Sequence, residues 1–112
     1  MVVRNGANKI NEVDSMKLLT KANLKSLPAL GTTDGQGSDA VVQVKFFTPW
    51  DSWTWYATEY DPETRTFFGL VDGFEKELGY FSLDELAEVK GPWGLKIERD
   101  MHFRPAKIGT VR

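Results

Sequence analysis

Cysteine is absent from these 112 residues and histidine occurs once. Without thiols the chain can form no disulfide, no thiolate nucleophile, no iron–sulfur cluster and no cysteine-ligated zinc site. No apolar run approaches the roughly 18 residues that span a bilayer, and Met1 to Lys25 lacks the apolar stretch of a secretory signal. A soluble, unexported, cytoplasmic protein with no membrane partner is expected. Phosphate-loop chemistry also finds little support. Gly31 to Asp39 holds three glycines but lacks the Lys-Ser/Thr ending of that motif, and no strand precedes it. A flexible connection is the better reading.

What is present describes one folded domain: 41% hydrophobic, 27% charged and 12% aromatic residues. The formal charge of -2 conceals an uneven layout. Met1 to Ser26 has five basic against two acidic residues, Leu27 to Gly94 four against twelve, and Leu95 to Arg112 five against two, giving +3, -8 and +3. An acidic middle repels phosphates, so nucleic acid ranks behind a protein as the partner.

Met1 to Asp14 shows no apolar periodicity and reads as a mobile leader. Leu18, Leu19, Leu24 and Leu27 recur at helical spacing, with Thr20 as a cap for a helix over Lys21 to Ser26 that Pro28 ends. Ala40 to Phe47 is rich in β-branched and aromatic residues, as a strand is. Trp53 to Tyr60 reads as a second strand, with Trp53 and Trp55 on one face and Tyr56 and Tyr60 on the other. Asp61-Pro62-Glu63-Thr64 has proline at the second position of a tight turn, returning Arg65 to Asp72 as a hairpin partner. Glu77 to Phe81 is a short extended piece. Ser82 and Glu85 have capping-box spacing for a helix over Leu83 to Val89, which Gly91-Pro92 stops. Leu95 to Phe103 alternates as a last strand, and residues 106–112 form a basic tail. The expected fold is a single α+β domain over residues 15–105, an antiparallel sheet of about four strands with two short helices.

Two groups of residues could carry function. Trp50, Trp53 and Trp55 lie within six positions, and with Tyr56 and Tyr60 on the reverse face they are too many for a one-sided core. With Asp51, Glu59 and Asp61 they form an acidic aromatic surface suited to a basic protein partner. Base stacking would need Lys or Arg among the aromatics, and Phe46 to Glu63 has none. The second group is a pocket of Tyr80, Glu98, Arg99, Asp100 and His102, in which Arg99 pairs with Glu59, Asp72 or Glu77. Glu98, Asp100 and His102 share one face of the last strand, yet a single histidine without a calcium-loop pattern makes a poor metal site. No catalytic residue, cofactor or metal is assigned. No serine sits in a nucleophile-elbow context.

From Glu77-Leu78-Gly79-Tyr80 through Ser82, Glu85-Leu86, Gly91-Pro92, Gly94-Leu95, Ile97-Glu98-Arg99-Asp100 and His102-Phe103-Arg104-Pro105, the chain resembles the domain-of-unknown-function 2958 family. Leu18-Leu19-Thr20 and the stretch Thr54 to Pro62 extend the likeness over nearly all of Met16 to Pro105. The resemblance implies a small bacterial or phage protein carried on plasmids, prophages and other mobile elements, and supplies no catalytic residue. The leading expectation is a non-enzymatic accessory of a mobile element that binds a protein, such as a host defence component, through the acidic aromatic surface. The alternatives are a small hydrolase or ligand-binding enzyme using the Tyr80–His102 pocket, and a single-stranded nucleic-acid binder.

Overall fold

The structure is a computed structural model and describes residues 18–112. The leader expected over Met1 to Asp14 lies outside the described residues. Helix α1 (Lys21–Ser26) starts where the Thr20 hydroxyl accepts the Asn23 amide at 3.1 Å and the Asn23 side chain returns the bond to the Thr20 amide. None of its own residues is buried, and Leu24 is exposed. The leucines that go inside, Leu18, Leu19 and Leu27, flank the helix. The Gly31–Asp39 loop then leads to β1 (Val41–Val42) and β2 (Val44–Phe47). Strand β3 (Thr54–Asp61) and β4 (Thr66–Asp72) form the expected hairpin. Asp61 holds the turn, accepting the Glu63 amide and the Thr64 hydroxyl. Strand β5 (Lys76–Ser82) is a full seven-residue partner of β4 rather than a short extended piece. Helix α2 (Leu83–Glu88) begins at Ser82, whose hydroxyl accepts the Glu85 amide.

The five-stranded antiparallel sheet has the order β5-β4-β3-β2-β6, where β6 is only Glu98–Arg99. The longer strand expected over Leu95 to Phe103 does not form. Asp100 bends the chain: its carboxylate accepts the His102 amide at 2.9 Å, and its carbonyl accepts the Phe103 amide. The 106–112 segment is no tail. Ala106–Lys107 (β7) pairs with β1, and helix α3 (Ile108–Val111) buries Ile108 to 1% exposure.

Both faces of the sheet are covered. On the first, Val44, Phe46, Ala57, Tyr60 and Phe67 pack beneath Leu18, Leu19, Leu27, Leu83, Leu86, Ala87 and Ile97. On the second, Tyr56 and Leu70 pack with Ala40, Val42 and Ile108. A β-bulge at Thr58 sets which residue goes where: Ala57 faces Gly69, but Glu59 faces Phe68. The extra residue is satisfied by its hydroxyl, which donates to the Phe68 carbonyl at 3.0 Å. Tyr60 therefore crosses to the face of Trp55, against the alternation expected from sequence, and Glu59 crosses to the second face.

There Glu59 is 2% exposed. Its Oε1 accepts the Gly31 amide at 2.8 Å, and its Oε2 accepts the Thr33 amide at 2.6 Å together with the Thr33 hydroxyl. Beside it the Tyr60 amide donates to the Pro28 carbonyl at 2.9 Å. Residues 28–33 thus cover the side of β3 that β2 is too short to reach. Charge-assisted bonds of this kind contribute about 1.5 to 3 kcal/mol each when intact. Glu59→Ala should lower unfolding stability by about 2 to 3 kcal/mol, read as an earlier urea midpoint. Glu59→Gln should also destabilise, because an amide nitrogen would face donors it cannot accept from. A wild-type midpoint in both variants would refute this role.

Burial raises the pKa of the Tyr56 phenol, with Asp72 and Asp100 adding to the shift. It raises that of Tyr60 too, Arg65 opposing and Asp84 and Asp61 reinforcing. The folded state then holds these phenolic protons more tightly than the unfolded chain, whose tyrosines titrate near about 10. Stability is accordingly complete below that pH and is lost as pH climbs through the raised folded values. Tyr60→Phe should flatten the decline in denaturation midpoint above about pH 10, and an unchanged slope would contradict the assignment.

Candidate functional site

The row Glu98–Phe47–Thr54–Asp72–Lys76 closes one end of the sheet. Beyond it lie the β2–β3 loop with Trp50, Asp51 and Trp53, and the β4–β5 turn with Phe74 and Glu75. In the first loop the Thr48 hydroxyl accepts the Trp53 amide at 3.1 Å and the Thr48 amide donates to the Trp53 carbonyl. This pins the base of the loop. The indoles then lie on backbone that has no side chain. A Cβ on Gly73 would fall 2.2 Å from the Trp53 ring, and one on Gly91 would fall 2.6 Å from Trp50.

Trp50, Trp53 and Trp55 are each half-buried. Trp50 and Trp55 pack against the first core. Trp53 stacks on Trp55 with centroids 5.8 Å apart, and Phe74 meets Trp53 edge-on at 5.2 Å. Phe74 itself is 94% exposed. Trp53, Val71 and Phe74 form the apolar wall of a concavity of about 220 Å³ that Glu75 and Glu77 complete. Neither carboxylate makes an ion pair among the described residues.

Of the six residues expected on the acidic aromatic surface, four gather at this end: Trp50, Asp51, Trp53 and Trp55. Asp61 stands at the other end of β3, about 23 Å along the strand. Glu59 is buried beneath the loop and cannot rim a surface. The acids that replace them, Glu75 and Glu77, arrive from the next hairpin.

The expected Tyr80–His102 pocket is split. Tyr80 sits on β5 and Arg99 on β6, at opposite edges of the sheet with three strands between them, roughly 19 Å. Arg99 finds none of the expected carboxylates; its Nη1 donates to the Leu18 carbonyl at 2.9 Å, and Glu59 lies across the sheet. Arg99 and Glu98 do share a concavity of about 290 Å³ with Leu18, Ala87, Lys96, Ile97 and Met101. Asp100 is engaged elsewhere, 3.6 Å from the Lys45 ammonium and bonded to the His102 amide, and His102 is exposed. Among the described residues no three His, Asp or Glu side chains gather to hold a metal ion, and no helix is long and apolar enough to cross a membrane.

The model of a protein family described as a protein of unknown function, DUF2958, matches residues 11–110. The chain belongs to this family. No curated protein and no solved structure matches it. Membership names no reaction.

One further residue escapes sequence reasoning. Trp93 is 94% exposed and adopts φ 53°, ψ 30°, with Gly94 following at φ 75°. The Leu95 amide donates to the Pro92 carbonyl at 3.0 Å across them, a tight turn with both central residues left-handed. For a residue with a Cβ that conformation costs about 1 to 2 kcal/mol. Trp93→Gly should therefore raise stability by about 0.5 to 1 kcal/mol in urea unfolding, since no burial is lost. A fall would show that the indole packs on the chain after all.

Proposed function

We propose that the protein is a non-enzymatic accessory of a mobile genetic element, acting in the cytoplasm, that binds a basic segment of a protein partner at the tryptophan end of its sheet. The mobile-element part rests on the family resemblance. The binding part rests chiefly on one observation, the exposed Phe74 set edge-on against Trp53 above the carboxylates of Glu75 and Glu77. An apolar wall keeps a partner's aliphatic stem, aromatic faces attract a cation, and carboxylates on the rim complete the charge match. Asp51, exposed on the neighbouring loop, extends the acidic rim. The enzyme reading is weakened by the place of Tyr80, at the opposite edge of the sheet from Glu98, Arg99, Asp100 and His102.

The test is quantitative capture of partner from host lysate by wild type and variants. Phe74→Ala, and Glu75→Lys combined with Glu77→Lys, should each weaken retention of the same partner by about tenfold or more. Glu85→Lys combined with Glu88→Lys, an equal charge change on α2, should leave it intact. Retention that ignores both groove variants would remove the proposal.

A further inference from the structure

Strand β5 is the outermost strand of the sheet and pairs with β4 over all seven residues without a register shift. The Leu83 amide donates to the Arg65 carbonyl at 2.9 Å, continuing that ladder by one pair. Antiparallel bonding alternates. Phe81, Gly79 and Glu77 therefore turn their backbone groups to β4, while Ser82, Tyr80, Leu78 and Lys76 turn theirs outward. Among the described residues no backbone bond other than the first turn of α2 at Ser82 meets that outer side. Natural edge strands are blunted by brevity, proline, bulges or inward charges. Strand β5 confines its charges to its first two positions, Lys76 and Glu77, and from Leu78 to Ser82 it has no such device. Leu78 and Tyr80 are 46% and 69% exposed on the face of Phe68, which Tyr80 meets edge-on at 5.0 Å. Gly79, at the middle, would meet nothing with a Cβ, so packing within the chain does not call for glycine there.

We propose that this edge pairs antiparallel with the same edge of a second copy of the chain, about a two-fold axis at Gly79. A two-fold normal to the sheet keeps each face continuous and allows only registers centred on a residue. Centring on Gly79 sets Leu78 opposite the other copy's Tyr80 and Lys76 opposite its Ser82. It is the register in which every outward N–H and C=O from Lys76 to Ser82 finds a partner. Centring on Leu78 or Tyr80 strands one end, and centring on Glu77 sets that carboxylate against itself. The Gly79 register also brings Lys76 beside the acidic first turn of the other copy's α2, Asp84 and Glu85. The exposed Leu78 and Tyr80 then cover one another across the axis, and ten strands form one sheet. Of the Trp53–Phe74 groove only Glu77 lies on the paired strand, opposite the other copy's Phe81, and the aromatic wall is untouched, so the proposal does not rest on the function proposed above.

The experiment is sedimentation equilibrium of the full chain over a range of concentrations. Wild type should move from monomer toward twice that mass. Leu78→Lys with Tyr80→Lys sets like charges opposite one another and should abolish the dimer while circular dichroism stays native. Leu78→Lys with Tyr80→Glu sets opposite charges face to face in the Gly79 register alone and should restore it. Should the double-lysine variant fail to fold, amide exchange of wild type decides: the Leu78 and Tyr80 amides should slow as concentration rises. A wild type that stays monomeric throughout, leaving the edge to a strand of another protein, overturns the proposal. So does a double-lysine variant that dimerises like wild type, or a charge-swapped one that does not.

Discussion

A single buried carboxylate organises the second half of this molecule. Strand β2 stops at Val44 opposite Ala57, which leaves β3 beyond that point without a neighbour on one side. Open backbone next to a core needs partners; the Pro28 carbonyl supplies one to the Tyr60 amide, while Gly31 and Thr33 donate to the Glu59 side chain. That segment has no apolar residue that reaches full burial. What fastens it is Glu59, whose two oxygens accept three donors from the loop. The loop in turn delivers Ala40 and Val42 to the second core and β1 to its pairing with β7. A charge that composition assigns to the surface is thus the fastening of an otherwise unanchored chain segment.

The bulge at Thr58 is what makes this arrangement possible, and it explains where sequence reasoning stops. Strands, turns and caps were legible because each has a local signature: Thr20 and Ser82 as caps, Pro62 in its turn, the β-branched run from Val41. The β3–β4 hairpin and the α+β class followed from these. A bulge has no such signature, since one inserted residue looks like any strand residue until its partner strand is known. It inverts the face of every residue after it, so the alternation that placed Tyr60 beside Tyr56 failed beyond Ala57. The strand expected over Leu95 to Phe103 failed for a related reason. Its alternation was real as far as Ile97, which is buried, but an Asp side chain bonding two residues ahead at Asp100 turned the chain and sent Phe103 to the other core.

The candidate site was legible in kind more than in membership. Crowded indoles did mark the aromatic end, because three tryptophans around one hairpin loop cannot all enter a core already holding Phe46, Tyr60 and Phe67. Of their acidic neighbours in sequence only Asp51 is a neighbour in space, since Glu59 is buried on the other face. Asp61 lies a full strand away, whereas Glu75 and Glu77 reach Trp53 through strand pairing. Gly73 and Gly91 carry a signal that only the fold decodes: a missing Cβ became meaningful once an indole was found lying on it.

Phe74, Trp93 and the outer side of β5 share a property. Each is unfavourable for the chain standing alone: an exposed aromatic ring, an exposed indole on a left-handed backbone, and an open ladder with apolar side chains beside it. Elsewhere, apart from Arg65 at φ 58° in the β3–β4 turn, the chain observes the local rules closely, with capped helices, paired buried polar groups and a satisfied bulge. Local rules broken in a chain that otherwise keeps them mark function more often than accident. Two of the three, Phe74 and the β5 edge, meet at Glu75 to Glu77, where the turn carrying the ring runs directly into the strand carrying the edge. A second copy docked on β5 would order that strand from its first residue and hold the Phe74 turn at its base. The binding end would then be stiffened from the side by a contact that touches none of its aromatic residues.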